Sequence, residues 1–182
     1  AAIQELARGW QEREDTRTLI VDRAQNDPDY PTRRAAIQEL ARGWQEREDT
    51  RTLIVDRAQN DPNYDPRRAA IQELARGWQE REDTRTLIVD RAQNDPNYSP
   101  RSVCLGFLAQ GLNDVRAIAL LSKYFTATDP YLDPLEPISE KHIQKGAKQL
   151  GITVDEARQV LADCEPVLGW NPLEPSRSAK SQ

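Results

Sequence analysis

Apolar residues recur along this chain at helical spacing in short bursts, and the bursts themselves recur. From Arg67 to Trp78, the residues Ala70, Ile71, Leu74, Ala75 and Trp78 fall on one helical stripe. Asp65 followed by Pro66 predicts the start of that helix: a capping side chain, then a residue whose missing N–H costs nothing in a first turn. Gly77 and the run Gln79-Glu80-Arg81-Glu82 end it. Asp83 then predicts the cap of a second helix, Thr84 to Gln93, with Thr84, Leu87, Ile88 and Ala92 inward. Asn94-Asp95-Pro96-Asn97-Tyr98 is dense in turn formers and closes the unit.

The same pattern fills residues 1–34, 35–68 and 69–102 without gaps, and 30 of the 34 positions are identical in all three. The differences, Asp29/Asn63/Asn97, Pro31/Asp65/Ser99, Thr32/Pro66/Pro100 and Arg34/Arg68/Ser102, lie at one junction. A degenerate fourth unit follows, with Arg101, Leu105, Leu108, Ala109 and Gly111 standing where Arg67, Ile71, Leu74, Ala75 and Gly77 stand in the third. Neither helix is long enough to be stable alone, so each pair must bury its stripe against the next. The expected fold is all-α, an α-solenoid of helical hairpins. Its parts are three repeats (1–102), a degenerate capping repeat (103–128), a Pro-rich linker (129–137), a C-terminal helical hairpin (138–170) and a disordered tail (171–182).

In the last third, Ser102–Leu112 and Asp114–Phe125 read as helices, the second with Ile118, Leu121, Tyr124 and Phe125 on one side. Three prolines within 129–137 exclude helix there. Ser139 predicts the cap of a helix to about Leu150, and Gly151-Ile152-Thr153 separates it from another at Asp155–Asp163. The spacing Ala147-x3-Gly151-x-Thr153-x3-Ala157-x2-Val160 matches a helix-turn-helix. Asp155 and Glu156 would then face phosphates, which weakens binding, so a helical hairpin with a glycine turn is the preferred reading. Residues 103–170 are expected to cap the array with a polar outer face.

A 34-residue period is the tetratricopeptide length, but Trp-x2-Leu-Gly-x2-Tyr is missing. The unit instead resembles HEAT-like repeats of the phycobilisome-lyase type. The resemblance lies in Asp-Pro-Asn-Tyr-x-Pro-Arg-Arg-Ala-Ala-x-x-x-Leu-Ala-x-Gly-Trp followed by Asp-Thr-x-x-Leu-Ile, over residues 1–112. The Arg-Gly-Trp end and the Arg-Ala-Gln-Asn-Asp linker are similar to near-identical repeats at the C-terminal end of bacterial, above all cyanobacterial, NACHT-type (STAND) NTPases. That resemblance implies a sensor or partner-binding arm in which partner binding relieves autoinhibition. The stretch from Asp129 to Ile143, leading to Leu150–Arg158, looks like an extension seen in some NACHT-like proteins. The phosphate-binding Gly-x4-Gly-Lys-[Ser/Thr] does not occur in this chain.

Charge and composition narrow the function. The chain has 182 residues, 30 carboxylates against 25 lysines and arginines, and a net charge of −5, which argues against nucleic acid or a membrane surface as partner. Its longest uncharged stretch, Ser102–Asn113, is too short to span a bilayer, and no basic-then-apolar leader opens it. Cys104 and Cys164 are too few for a disulfide framework, and with the single His142 they make a poor metal site. A cytoplasmic protein without cofactor is expected. Methionine is absent even at position 1, and further repeats or another domain are expected ahead of Ala1.

No enzymatic constellation survives inspection. His142 sits on a lysine-flanked polar face, Cys104 replaces the core residue Ala70, and Cys164 has no nearby cation to make a thiolate. Glu12, Asp15 and Asp22 recur in every unit, and a catalytic pair has no need of three copies. A DNA glycosylase built on such repeats needs a basic groove, whereas residues 1–102 carry 17 arginines, no lysine and 20 carboxylates.

Trp10, Trp44 and Trp78 are expected to seal the core between repeats, and Tyr30, Tyr64 and Tyr98 to staple successive units. What remains is the outer side of the second helices, which the HEAT resemblance implies is concave. Spacing of i, i+4, i+8 aligns three ladders there: Arg17/Arg51/Arg85, Val21/Val55/Val89 and Gln25/Gln59/Gln93. Rungs about 10 Å apart would let the arginines grip a periodic acidic protein partner. The alternative is that Asp22, Asp56 and Asp90 merely neutralise them. The expected function is a non-catalytic protein-interaction or sensing arm of a larger bacterial protein. A structural spacer, and nucleic-acid binding through residues 138–163, are the alternatives.

Overall fold

The structure is a computed structural model that describes residues 2–122 and 137–174. Every regular element among the described residues is a helix. They are α1 (Ala2–Gly9), α2 (Glu14–Asn26), α3 (Tyr30–Gly43), α4 (Glu48–Asn60), α5 (Tyr64–Gly77), α6 (Glu82–Asn94), α7 (Tyr98–Ala109), α8 (Val115–Leu120), α9 (Glu140–Leu150), α10 (Val154–Ala162) and α11 (Glu165–Leu168). The chain forms two compact units, Ala1–Leu87 and Ile88–Gln182. The arrangement is an all-α helical repeat of paired antiparallel helices followed in the chain by a helical C-terminal cap.

In the first unit the tight antiparallel pairs are α2 with α3 and α4 with α5. This shifts the expected hairpin by one helix, because the shorter connection is the Asp-Pro-Asn turn rather than the Gly-Trp-Gln-Glu-Arg segment. Asp61 organises that turn, its Oδ1 accepting from Asn63 N at 2.9 Å. Asn63 then caps α5 by accepting from Asp65 N. The cap therefore lies two residues before the expected Asp65, and Pro66 falls in the first turn, where an N–H has no intrahelical partner to lose. The second helices also start early, at Glu48 and Glu82, whose carboxylates suit the positive end of the helix.

The expected apolar stripes hold: Ile37, Leu40, Ile54, Ile71, Leu74 and Ile88 are fully buried. The tryptophans are a correction. Trp10 is 52% exposed, and Trp44 and Trp78 are half-buried. Trp44 and Trp78 stand just beyond their helices with φ of −139° and −137°, so the i+4 phase set by Leu40 and Leu74 no longer carries their rings inward. Tyr30 and Tyr64 are likewise exposed.

Helix α3 packs directly on α1 and α5, whereas α2 and α4 stand too far apart for close backbone approach. Within this unit the α1–α3–α5 layer is thus the inner one, and the wedge on the other layer is bridged by long side chains. Gln11 Nε2 donates to Gly43 O at 2.8 Å, and Gln45 Nε2 to Gly77 O at 2.9 Å. Arg47 meets Glu14 at 3.0 Å, and Arg81 meets Glu48 at 3.3 Å. Each link joins successive repeats and recurs 34 residues later. A change in one unit would break complementarity with its neighbour, which is the physical reason the repeats stay alike; the variable Asp29, Pro31 and Arg34 are exposed.

In the second unit α9 packs on α8 and α10, α10 on α8, and α11 on α7. Ala117, Leu120, Leu121, Ile143, Ala147, Ala157 and Leu161 form the core of the three-helix cluster. Thr153 and Glu156 make a reciprocal capping box at the start of α10, while Ser139 precedes α9 without a side-chain cap bond. Helix α7 begins at Tyr98 rather than Ser102, and α8 ends at Leu120 with Ile118 exposed. Tyr124, Phe125 and most of the expected 129–137 linker lie outside the described residues. The expected tail is corrected over Asn171–Glu174: Pro172 is buried, and its carbonyl accepts from Ile138 N at 3.0 Å.

Candidate functional site

The arginine ladder is corrected first. Arg17 and Arg51 do not point to open solvent; they are 7% and 6% exposed. Because α2 and α4 are splayed, each guanidinium reaches across to the start of the next second helix. Arg17 Nη2 lies 2.8 Å from Asp49 and donates to Thr50 Oγ1 at 3.2 Å. Arg51 repeats this with Asp83 at 2.6 Å and Thr84 at 3.4 Å. The expected carboxylates are not the partners: Asp22 accepts from Asn26, and Asp56 from Arg57 and Asn60. Arg85 is exposed. Val21 and Val55 are half-buried, whereas Val89 is covered by Gly169, where an added Cβ would come within 2.6 Å of Val89 Cγ1. Gln25 and Gln59 are exposed and Gln93 half-buried. Arg17 and Arg51 are therefore bridges between repeats.

Burial pushes the Asp49 and Asp83 carboxyls up, but the arginines beside them, Arg17 and Arg47 for one and Arg51 and Arg81 for the other, leave both below the usual range. A depressed folded pKa contributes stability that is present above the ordinary carboxylate value of about 4 and is lost as pH falls through the folded value. The thermal midpoint followed by circular dichroism should hold from about pH 7 to 5 and fall below about pH 4. In Arg17→Met/Arg51→Met the fall should be shallower; an identical acid profile would contradict this assignment.

The inner layer carries an open groove that the sequence reading missed. Two adjoining cavities of ≈ 390 and ≈ 280 Å³ cross α1, α3 and α5 and share Gln38. Gln4 lines the first and Gln72 the second, so equivalent glutamines of three repeats stand in one row. All three are half-buried and make no hydrogen bond within the described residues. On the floor Glu39 pairs with Arg42, and Glu73 accepts from Arg76 Nη1 at 3.2 and 3.3 Å. Burial pushes the Glu73 carboxyl up, only partly offset by Arg76 and Arg42. The carboxylates lie beneath and the guanidiniums above: the Glu39 side chain is 3% exposed against 53% for Arg42. Trp78 borders this groove. Recurrence of Gln4, Gln38 and Gln72 on the polar side of each first helix was the available signal, masked by the expectation that the second helices line the concave side.

In the C-terminal unit the helix-turn-helix spacing is realised. Gly151 ends α9 at φ 67°, and Ala147 and Ala157 are buried where the two helices meet. On α10 the exposed groups are already engaged. Arg158 meets Glu140 at 2.8 Å and Asp155 at 2.9 Å, and the Thr153 backbone and hydroxyl hold the Glu156 carboxyl below the usual range. Lys141, Lys145 and Lys148 are exposed on α9, and His142 is half-buried. Cys104 and Cys164 are buried; burial pushes both thiols up, Cys164 to about 11, and Cys164 Sγ donates to Val160 O. Among the described residues no group of three His, Cys, Asp or Glu could hold a metal ion, and no helix is long and apolar enough to cross a membrane.

Comparison with known families matches residues 1–75 to HEAT repeats and residues 114–169 to a family described as wHTH-Hsp90_Na associated. No curated protein and no solved structure matches the chain. The expected similarity to NACHT-type NTPases is overturned, because the matched segments answer to HEAT repeats and to a winged helix-turn-helix. The second match also favours the helix-turn-helix over the plain hairpin that the acidic start of α10 suggested. With the fold, these matches mark a helix-rich module of the scaffold or protein-interaction kind.

Proposed function

We propose that the repeat array docks a protein partner in the groove over α1, α3 and α5, and that the row on the second helices serves only cohesion between repeats. One observation carries this reading. Most recurring polar side chains of the repeat are spent on neighbours, whereas Gln4, Gln38 and Gln72 stand half-buried along one groove without an internal partner. A glutamine amide offers both donors and acceptors, which suits it to a partner's main chain. The triple variant Gln4→Ala/Gln38→Ala/Gln72→Ala should keep its helicity and weaken partner binding by about tenfold for each 1.4 kcal/mol of contacts removed. Gln25→Ala/Gln59→Ala should leave binding unchanged in a pull-down titration. Equal loss from both sets would contradict the reading.

A second reading is favoured by the winged helix-turn-helix match together with the exposed Lys141, Lys145 and Lys148. In it the C-terminal unit touches nucleic-acid phosphates through α9, since Arg158 on α10 is already held by carboxylates. Retention on duplex DNA should then fall steeply with salt, by roughly one unit of logarithmic slope per lysine contact, and be lost in Lys141→Glu/Lys145→Glu/Lys148→Glu. Absence of retention at low salt removes it.

A further inference from the structure

The groove also limits what can lie in it. Its rungs are identical, so an occupant meets the same glutamine and the same arginine at each step. The step is the distance between packed helices, about 8–10 Å. A β-strand advances about 3.3 Å per residue and turns alternate side chains to opposite faces, so its two-residue period of under 7 Å falls out of step with the rungs. A polyproline-II segment rises about 3.1 Å per residue with three residues per turn, so the same face returns about every 9.3 Å. That matches one residue in three to each rung.

Charge selects the residue. The accessible ions in the groove are guanidiniums, Arg42 at 53% and Arg76 at 74% side-chain exposure, while the Glu39 and Glu73 side chains beneath them are 3% and 11% exposed. A guanidinium has five N–H donors, and one carboxylate below does not use them all. An arriving ligand therefore meets donors that carry positive charge, and a carboxylate at each rung pairs with them. We propose, building on the docking reading above, that the partner presents an acidic polyproline-II segment with Asp or Glu at every third position.

The test is fluorescence anisotropy with the whole chain and three labelled peptides: repeated Glu-Pro-Ser triplets, the same length of Glu-Pro-Ser-Ser quartets, and Lys-Pro-Ser triplets. The expected result is that the acidic triplet peptide binds about tenfold more tightly than either other peptide. Arg42→Gln/Arg76→Gln should abolish that preference without changing the far-ultraviolet circular dichroism. Equal affinity for acidic triplets and quartets, or no binding of either, overturns the periodic inference. Triplet binding that survives Gln4→Ala/Gln38→Ala/Gln72→Ala unchanged overturns the groove reading beneath it.

Discussion

Asp61→Ala is expected to cost the array about 3–5 kcal/mol, the loss usual when one partner of a buried ion pair is removed. The Asp61 side chain is fully buried and accepts from Arg33 Nε and Nη2, both at 2.8 Å, and from Asn63 N at 2.9 Å. Arg33, itself buried, also donates to Asp27 O at 2.8 Å, so it holds two turns together. The hydrogen bond from Arg33 to Asp61 raises the guanidinium's pKa, and without Asp61 the buried charge keeps only the weaker attraction of Asp27 and Asp29. Asp61→Asn keeps the turn bond to Asn63 and one acceptor for Arg33, and should cost about 1–3 kcal/mol. For a chain of this size 1 kcal/mol moves the melting midpoint by about 2–4 °C. Calorimetry should show a drop of about 10 °C or more for alanine and clearly less for asparagine. Equal small drops would mean that the pair contributes nothing net.

Gly169→Ala is the second large effect, and it acts on the C-terminal unit. Gly169 has φ 84° and ψ 4°, the left-handed region that costs a residue with a Cβ about 1–2 kcal/mol. The added Cβ would also fall 2.6 Å from Val89 Cγ1, and relieving such overpacking costs typically about 1–3 kcal/mol. The sum, about 2–5 kcal/mol, should appear as a lower denaturant midpoint with red-shifted emission from the adjacent buried Trp170. Adding Val89→Ala should recover the steric part and leave the backbone part, a coupling that a double-mutant cycle reads directly. Additive losses from the two changes would show that Val89 and position 169 do not touch.

Much of the fold was legible because the repeat states its own pattern three times. Ile71 and Leu74 are buried where helical spacing placed them, as are Leu87, Ile88 and Ala92. Cys104 is buried where Ala70 is buried one repeat earlier. The hairpin phase was not legible, because a strictly repeating sequence can be cut at either turn and only the packing of α4 on α5 decides. Spacing aligned Arg17 with Val21 and Gln25 but could not reveal that α2 and α4 stand apart, which turned the arginine inward to Asp49. The groove was hidden for the same reason: Gln38 reads as one more polar surface residue until α1, α3 and α5 are seen side by side. At the other end, the Ala147, Gly151 and Ala157 spacing was legible as geometry, because Gly151 closes α9 in the left-handed region and a capping box opens α10.

The most direct test of the account is site-specific photocrosslinking in cells, with benzoylphenylalanine placed at Gln72 in the groove or at Gln59 on the exposed side of α4. A discrete protein adduct from position 72, and none from position 59, is the predicted result. Adducts from position 59 with none from position 72 would return partner binding to the second helices and contradict the groove as the docking surface.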